Sequence, residues 1–149
     1  MRSRPDIAGA ARTVMENCFC HRARMAARAV TRGYDQALRE TGLRATQLAV
    51  LAAIAARGAL SIKALADDLG MDRTTLTRNL RPLETLGYVA IGAEGRHRSR
   101  TLALTEAGDA ALAAALPLWE QAQRALKQRL GAKRWPDIGA ALTDLTADA

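Results

Sequence analysis

Residues 61 to 105 constrain this chain more than any other stretch. Ser61-Ile-Lys-Ala-Leu-Ala-Asp-Asp-Leu-Gly70 has the makings of one short helix. Met71-Asp72 follows, and a second helix opens at Arg73-Thr-Thr-Leu-Thr-Arg78. Ser61 supplies an oxygen that can accept an orphan backbone N–H at the start of the first helix. Gly70 tolerates the left-handed conformation that ends it. Asp72 caps the next helix two residues later, so the connection is short and the two axes must cross steeply.

The apolar positions agree with that division. Ile62, Leu65, Ala66 and Leu69 share one face of the first helix, and Leu76, Leu80, Leu83 and Gly87 one face of the second. Thr74, Thr77, Arg78, Arg81 and Thr85 then point away from the leucine stripe. Arg73 lies nearer the core edge and suits a backbone contact better than a base. Pro82 removes one helical hydrogen bond, so a bend late in the second helix is expected. Hydroxyls and guanidinium groups on an exposed helix match the edges of base pairs. Arginine grips guanine through two hydrogen bonds, and threonine offers its methyl to thymine.

A wing follows. Val89 and Ile91 alternate with small residues, as do Leu102 and Leu104, which predicts a hairpin with these four side chains toward the core. Gly92 and Gly95 permit the turn. Arg96, His97, Arg98 and Arg100 crowd its tip, where Glu94 is the nearest acid. Basic hairpin tips of this kind sit over a minor groove or along phosphates. Helices, tight turn and arginine-rich hairpin thus stand in the order of a winged helix-turn-helix. The candidate DNA-binding set is Ser61, Lys63, Arg73, Thr74, Thr75, Thr77, Arg78, Arg81, Arg96, Arg98 and Arg100. A helical hairpin with a merely solvated basic loop is the alternative.

The rest of the chain bounds the partners. Its 149 residues carry a net charge of +7, an excess that favours a polyanion and makes affinity salt-dependent. Aromatic residues are only 3% of the whole, so alanine and leucine helices must supply the packing. One long helix is expected over residues 8 to 40. Another is capped by Thr46, runs through Leu48, Leu51, Ala52 and Ala55, and stops at Gly58. After the wing, Thr105-Glu-Ala-Gly108 opens an alanine-rich helix to about Leu130, with a kink expected at Pro117, and a last helix starts near Pro136. No secretory signal and no run of about 20 apolar residues is visible, so a cytoplasmic location is expected.

Leu112, Leu116, Trp119, Leu126 and Leu130, with Ile138, Leu142 and Leu145 of the last helix, exceed what a small wing can cover. A second copy of the chain is the simplest partner, because a two-fold dimer sets two recognition helices one DNA turn apart, ~34–36 Å. Folding back as ordinary core is the other possibility. The expected architecture is mainly α with a small β-hairpin wing. A winged helix-turn-helix domain spans residues 43–108, and residues 8–40 and 109–149 form a helical dimerisation region.

The chain resembles the MarR family of winged helix-turn-helix transcriptional regulators along nearly its whole length. The resemblance rests on Gly42-Leu43-Arg-Ala-Thr46-Gln47, Ser61-Ile-Lys-Ala-Leu65-Ala66 and Leu69-Gly-Met-Asp72-Arg-Thr-Thr-Leu-Thr-Arg78. It continues through Leu83-Glu-Thr-Leu86-Gly87-Tyr88-Val89, Arg98 and Leu102-Ala-Leu-Thr105-Glu106-Ala107-Gly108. It implies a homodimer with intertwined terminal helices, bound to a pseudo-palindromic operator on double-stranded DNA. Such proteins are often repressors released by a small molecule or by oxidation. Wings of the family usually carry an acid two positions before the arginine that Arg98 resembles. Arg96 stands there instead, so the wing is either looser or leans more on phosphates.

The resemblance also directs attention to Asn17-Cys-Phe-Cys-His21. In the organic-hydroperoxide-sensing branch a reactive cysteine occupies this region, and alignment through Thr31 and Tyr34 puts Cys20 at its position. Tyr34 matches one of two tyrosines that contact the thiol; Arg24 replaces the other. Arg24, one turn from Cys20, can favour a thiolate, although Cys18 and Cys20 can equally be inert apolar residues. The family's effector pocket would involve His21, Arg24, Arg28 and the helix near Thr46, where arginines suit an aromatic or other carboxylate. A metal site is not expected, since Cys18 and His21 on one helix do not complete a tetrahedron and His97 is poorly placed. No cofactor is implied. An enzyme is not expected either, for the chain has no phosphate loop, metal-ligand spacing or nucleophile elbow. A winged fold used only for protein contacts is the remaining class.

Overall fold

The computed structural model describes residues 6–92 and 101–147. Two compact units meet inside one helix, between Gly33 and Tyr34.

The first unit consists of α1 (Ile7–Asn17) and most of α2 (Phe19–Ala37). The sequence suggested one helix here; the structure has two. Cys18 interrupts the spiral in an extended conformation, with φ −65° and ψ 113°. The break is stabilised by side chains that satisfy carbonyls at the end of α1. The Asn17 amide donates to the Thr13 carbonyl at 3.1 Å, and the Arg22 guanidinium donates to the Glu16 carbonyl. Neither helix has a fully buried residue, and Ile7, Val14, Met15, Phe19 and Met25 are all more than half exposed.

The second unit holds the core. After a 3-10 turn, Arg39–Thr41, come α3 (Ala45–Arg57), β1 (Leu60–Ser61), α4 (Ile62–Asp68) and α5 (Arg73–Thr85). Strands β2 (Val89–Ile91) and β3 (Thr101–Leu104) lead to α6 (Glu106–Leu130) and α7 (Trp135–Asp144). Leu38, Leu51, Ile54, Leu65, Leu76, Leu83 and Leu102 are fully buried at its centre. At about 25 cal/mol per Å² of apolar surface, such aliphatic burial is the main stabilising term.

Three expectations about these elements change. Thr46 does not cap α3, because it lies inside the helix. The cap position is Arg44, two residues earlier, where Asp35 accepts from the Ala45 N–H at 2.8 Å and Gln47 accepts from the Arg44 N–H at 2.9 Å. Ala52 and Ala55 are exposed, whereas Val50 and Ile54 are buried. The reason is that α3 packs against α5, α6 and β3, which turns its buried arc toward the larger side chains. Gly87 does not lie on α5; it follows the helix with φ +72°.

The wing is part of a three-stranded antiparallel sheet, order β1-β3-β2. Val89 faces Leu104, Ile91 faces Leu102, and Leu60 faces Leu102 from the other side. The expected hairpin strands are present, with Val89 and Leu102 buried and Ile91 and Leu104 half-buried. Strand β1 was not anticipated, since two residues are too short to show alternation. The tip, with Arg96, His97, Arg98 and Arg100, lies outside the described residues.

Helix α6 opens at Thr105-Glu-Ala-Gly108 as expected, with Thr105 as its cap, accepting from the Gly108 N–H at 3.0 Å while its hydroxyl donates to the Gly87 carbonyl at 2.5 Å. Leu112 does not await a partner: with Ala115 it belongs to the core, because the first turns of α6 fold back on α3 and β3. Leu116, Trp119, Leu142 and Leu145 remain exposed, while Leu126, Leu130 and Ile138 are half-buried.

Candidate nucleic-acid interface

The site is built on the α4–turn–α5 segment. The Ser61 hydroxyl accepts from the Ala64 N–H at 3.1 Å, which starts α4. Gly70, at φ +58°, lets the chain reverse so that the Met71 N–H reaches the Ala66 carbonyl at 2.9 Å. Arg57 holds the far end of α4 against α3. Its guanidinium donates Nε to Asp68 Oδ2 at 2.9 Å and a terminal nitrogen to Oδ1 at 2.5 Å. This two-pronged contact, which raises the Arg57 pKa through hydrogen bonding and then charge, was not foreseen. Its partners are eleven residues apart on different helices, so neither helical pattern reveals it.

Asp72 begins the recognition helix. One carboxylate oxygen accepts from the Thr75 N–H at 2.8 Å and the other from the Thr75 hydroxyl at 2.7 Å. Hydrogen bonds from Thr75, the side chain first and then the backbone, hold the Asp72 pKa below the usual aspartate range. The stability this cap contributes is therefore present above the unfolded pKa and lost as pH falls through the lower folded value. In an acid titration, wild type should lose an increment of stability below about pH 4. Asp72→Asn should flatten that part of the profile, and identical profiles for the two proteins would refute the assignment.

From this start the exposed face of α5 forms a shallow cleft of ≈ 380 Å³, lined by Arg73, Thr74, Thr77, Arg78 and Arg81. These are five of the eleven residues singled out for DNA contact. Arg73 belongs to this face rather than the core edge, since it is the first helical residue, is exposed and lines the cleft. Thr75 stands apart, with both its hydroxyl and its N–H engaged by Asp72. Ser61 caps α4, and Lys63 pairs with Asp67 at 3.0 Å on the solvent side of that helix. None of the ion pairs among the described residues involves Arg73, Arg78 or Arg81. The cleft is thus a concentration of uncompensated guanidinium charge beside the N-terminus of a 13-residue helix, whose dipole adds to it.

The residues considered for sensing are distributed over both units. Cys18 is half-buried at the helix break, Cys20 is an exposed free thiol, and His21 is half-buried. Arg24 and Arg28 are exposed, one turn apart on α2. Tyr34 belongs to the second unit, where its hydroxyl donates to Gln123 of α6, and burial raises its pKa. Among the described residues no group of three His, Cys, Asp or Glu side chains could hold a metal ion. No helix among them is long and apolar enough to cross a membrane.

A cationic, threonine-bearing recognition helix in a winged helix-turn-helix defines the class: a winged-helix transcriptional regulator. The sequence model of the MarR family matches residues 41–99. The chain is 37% identical to the M. tuberculosis transcriptional regulator MosR in its structure with DNA. That match has a TM-score of 0.80 and covers 87% of this chain and 94% of the other. The chain belongs to the MarR family. Its fold is also that of Bordetella bronchiseptica BpsR, a protein whose DNA binding is regulated by 6-hydroxynicotinic acid (23% identity, TM-score 0.79, covering 91% and 96%). A mutant of E. coli MarR complexed with operator DNA is similar as well (21% identity, TM-score 0.79, covering 89% and 96%). A comparison with curated proteins returned no match.

Proposed function

We propose that this protein is a homodimeric repressor that binds a pseudo-palindromic operator and is released by a small aromatic or other carboxylate. The observation that carries the reading is the cleft on α5, where three arginines and two threonines face outward without a carboxylate among them. Such a surface suits phosphates and base edges. Similarity to MosR, solved with DNA, supports the same partner.

Dimerisation follows from apolar exposure. The first unit has no buried residue among those described, and Leu116, Trp119, Leu142 and Leu145 add exposed apolar surface near the other end of the chain. We assign residues 8–40 and 109–149 to dimerisation and residues 43–108 to DNA binding, with the first turns of α6 shared between core and arm. His21, Arg24 and Arg28 are the effector candidates, being basic groups on α2 suited to a carboxylate. BpsR, regulated by such a compound, lends the class of ligand its support. Ser61, Lys63, Arg96, Arg98 and Arg100 are assigned to phosphate and minor-groove contacts.

A second reading rests on Cys20, whose thiol is free and exposed close to the break at Cys18. In it, an organic hydroperoxide oxidises Cys20 and releases the operator.

The test is a titration against the DNA upstream of the protein's own gene and against scrambled DNA, at two salt concentrations. Aromatic carboxylates and an organic hydroperoxide are added in separate arms. Selective binding, weakening steeply with salt and reversed by a carboxylate, is expected. Release by peroxide, restored by thiol and absent in Cys20→Ser, would favour the second reading. Equal, weak binding to every duplex offered would defeat both.

A further inference from the structure

The threonines of α5 are not equivalent, and their hydrogen bonds divide them. A threonine hydroxyl has one proton to donate. That of Thr75 goes to Asp72 at 2.7 Å, that of Thr77 to the Arg73 carbonyl at 2.7 Å, and that of Thr85 to the Arg81 carbonyl at 2.9 Å. Thr74 has no such bond among the described residues. Of these four threonines, Thr74 and Thr77 line the cleft. One therefore offers a donor to a ligand, whereas the other has spent its donor on its own helix and, as an exposed residue of the cleft, keeps its methyl group for apolar contact.

We propose that Thr77 is a specificity-determining residue that recognises thymine through its methyl group, while Thr74 supplies the hydroxyl donor of the cleft. The inference rests on the DNA-reading function proposed above. Thymine differs from every other base in the major groove by its 5-methyl group, and contact between two methyl groups excludes water without needing a hydrogen bond. Back-bonding to Arg73 also restrains the Thr77 side chain, so less rotamer freedom is lost on binding. The methyl discriminates at the base pair it meets, independently of any base contact that Arg78 makes elsewhere in the site.

The experiment removes one methyl from each partner. A duplex is selected by the wild-type protein from a random library, and each dT is replaced singly by dU. Affinities are measured for wild type, Thr77→Ser, Thr77→Val and Thr74→Val. At one dT per half-site, wild type should lose about three- to fivefold on the dU duplex. Thr77→Ser should lose a similar factor on dT and nothing further on dU. Thr77→Val, which keeps the methyl and drops the hydroxyl, should stay within about twofold of wild type and keep the dU penalty. Thr74→Val should bind more weakly with the penalty intact. A dU penalty unchanged in Thr77→Ser at every position, or a Thr77→Val protein as impaired as Thr77→Ser, would overturn the proposal. Selection that enriches no sequence with wild type would overturn the DNA-reading function itself, and the Thr77 assignment with it.

Discussion

Gly108→Ala is expected to destabilise the protein by about 2–4 kcal/mol, a large part of the stability of a small domain. A Cβ at this position would lie 2.1 Å from the Tyr88 carbonyl oxygen and 3.0 Å from its carbon. Those atoms are backbone and cannot rotate away. The same oxygen accepts from the Thr105 N–H at 3.1 Å, so relieving the clash also breaks the link between the start of β2 and the start of α6. Gly139→Ala is the control: it lies within α7 with nothing inside 4 Å of the added carbon. There, alanine should be neutral or stabilise by about 0.5–1 kcal/mol, because glycine is the poorer helix former. Urea unfolding of both variants measures the contrast, and a Gly108→Ala midpoint equal to wild type would show that the helix start shifts freely.

Arg78→Ala should weaken operator binding by about 1–3 kcal/mol and relax the preference at one base pair. Arg78 lines the cleft on the exposed face of α5, far around the helix from Leu76 and Leu80, so its loss should leave the core undisturbed. Arg98→Ala, on the wing, should instead weaken binding to operator and scrambled DNA by similar factors, since phosphate contacts carry no sequence information. Competition titrations of both variants on both duplexes separate the two kinds of contact. Wild-type affinity in both variants would move the reading surface away from α5 and the wing.

Much of this was legible from local chemistry. Ser61 and Asp72 cap the helices they were expected to cap, because an N-cap bond closes within three residues. Leu65, Ala66, Leu76, Leu80 and Leu83 are buried at the spacing that placed them on one face. The break at Cys18 was missed because Asn17, Cys18 and Phe19 include no proline or glycine to announce it. Side chains, not residue propensities, satisfy the carbonyls there. Thr46 misled for the opposite reason: it resembles a cap, but Asp35, ten residues back from the amide it holds, had taken that task.

The sequence by itself determined where most helices of the second unit begin and end, which leucines are buried, and which charged face is left outside. All of these follow from bonds and periodicities that fit inside one or two helical turns. Only the tertiary structure decided the pairing of β1 with β3, the bidentate grip of Arg57 on Asp68, the seat of Gly108 on the Tyr88 carbonyl, and the bond from Tyr34 to Gln123. Each joins residues from different elements, and such contacts depend on the path of the chain through space, which no local pattern records. The division of labour between Thr74 and Thr77 belongs with them. Two threonines of the same helix face differ only in where a single proton is directed.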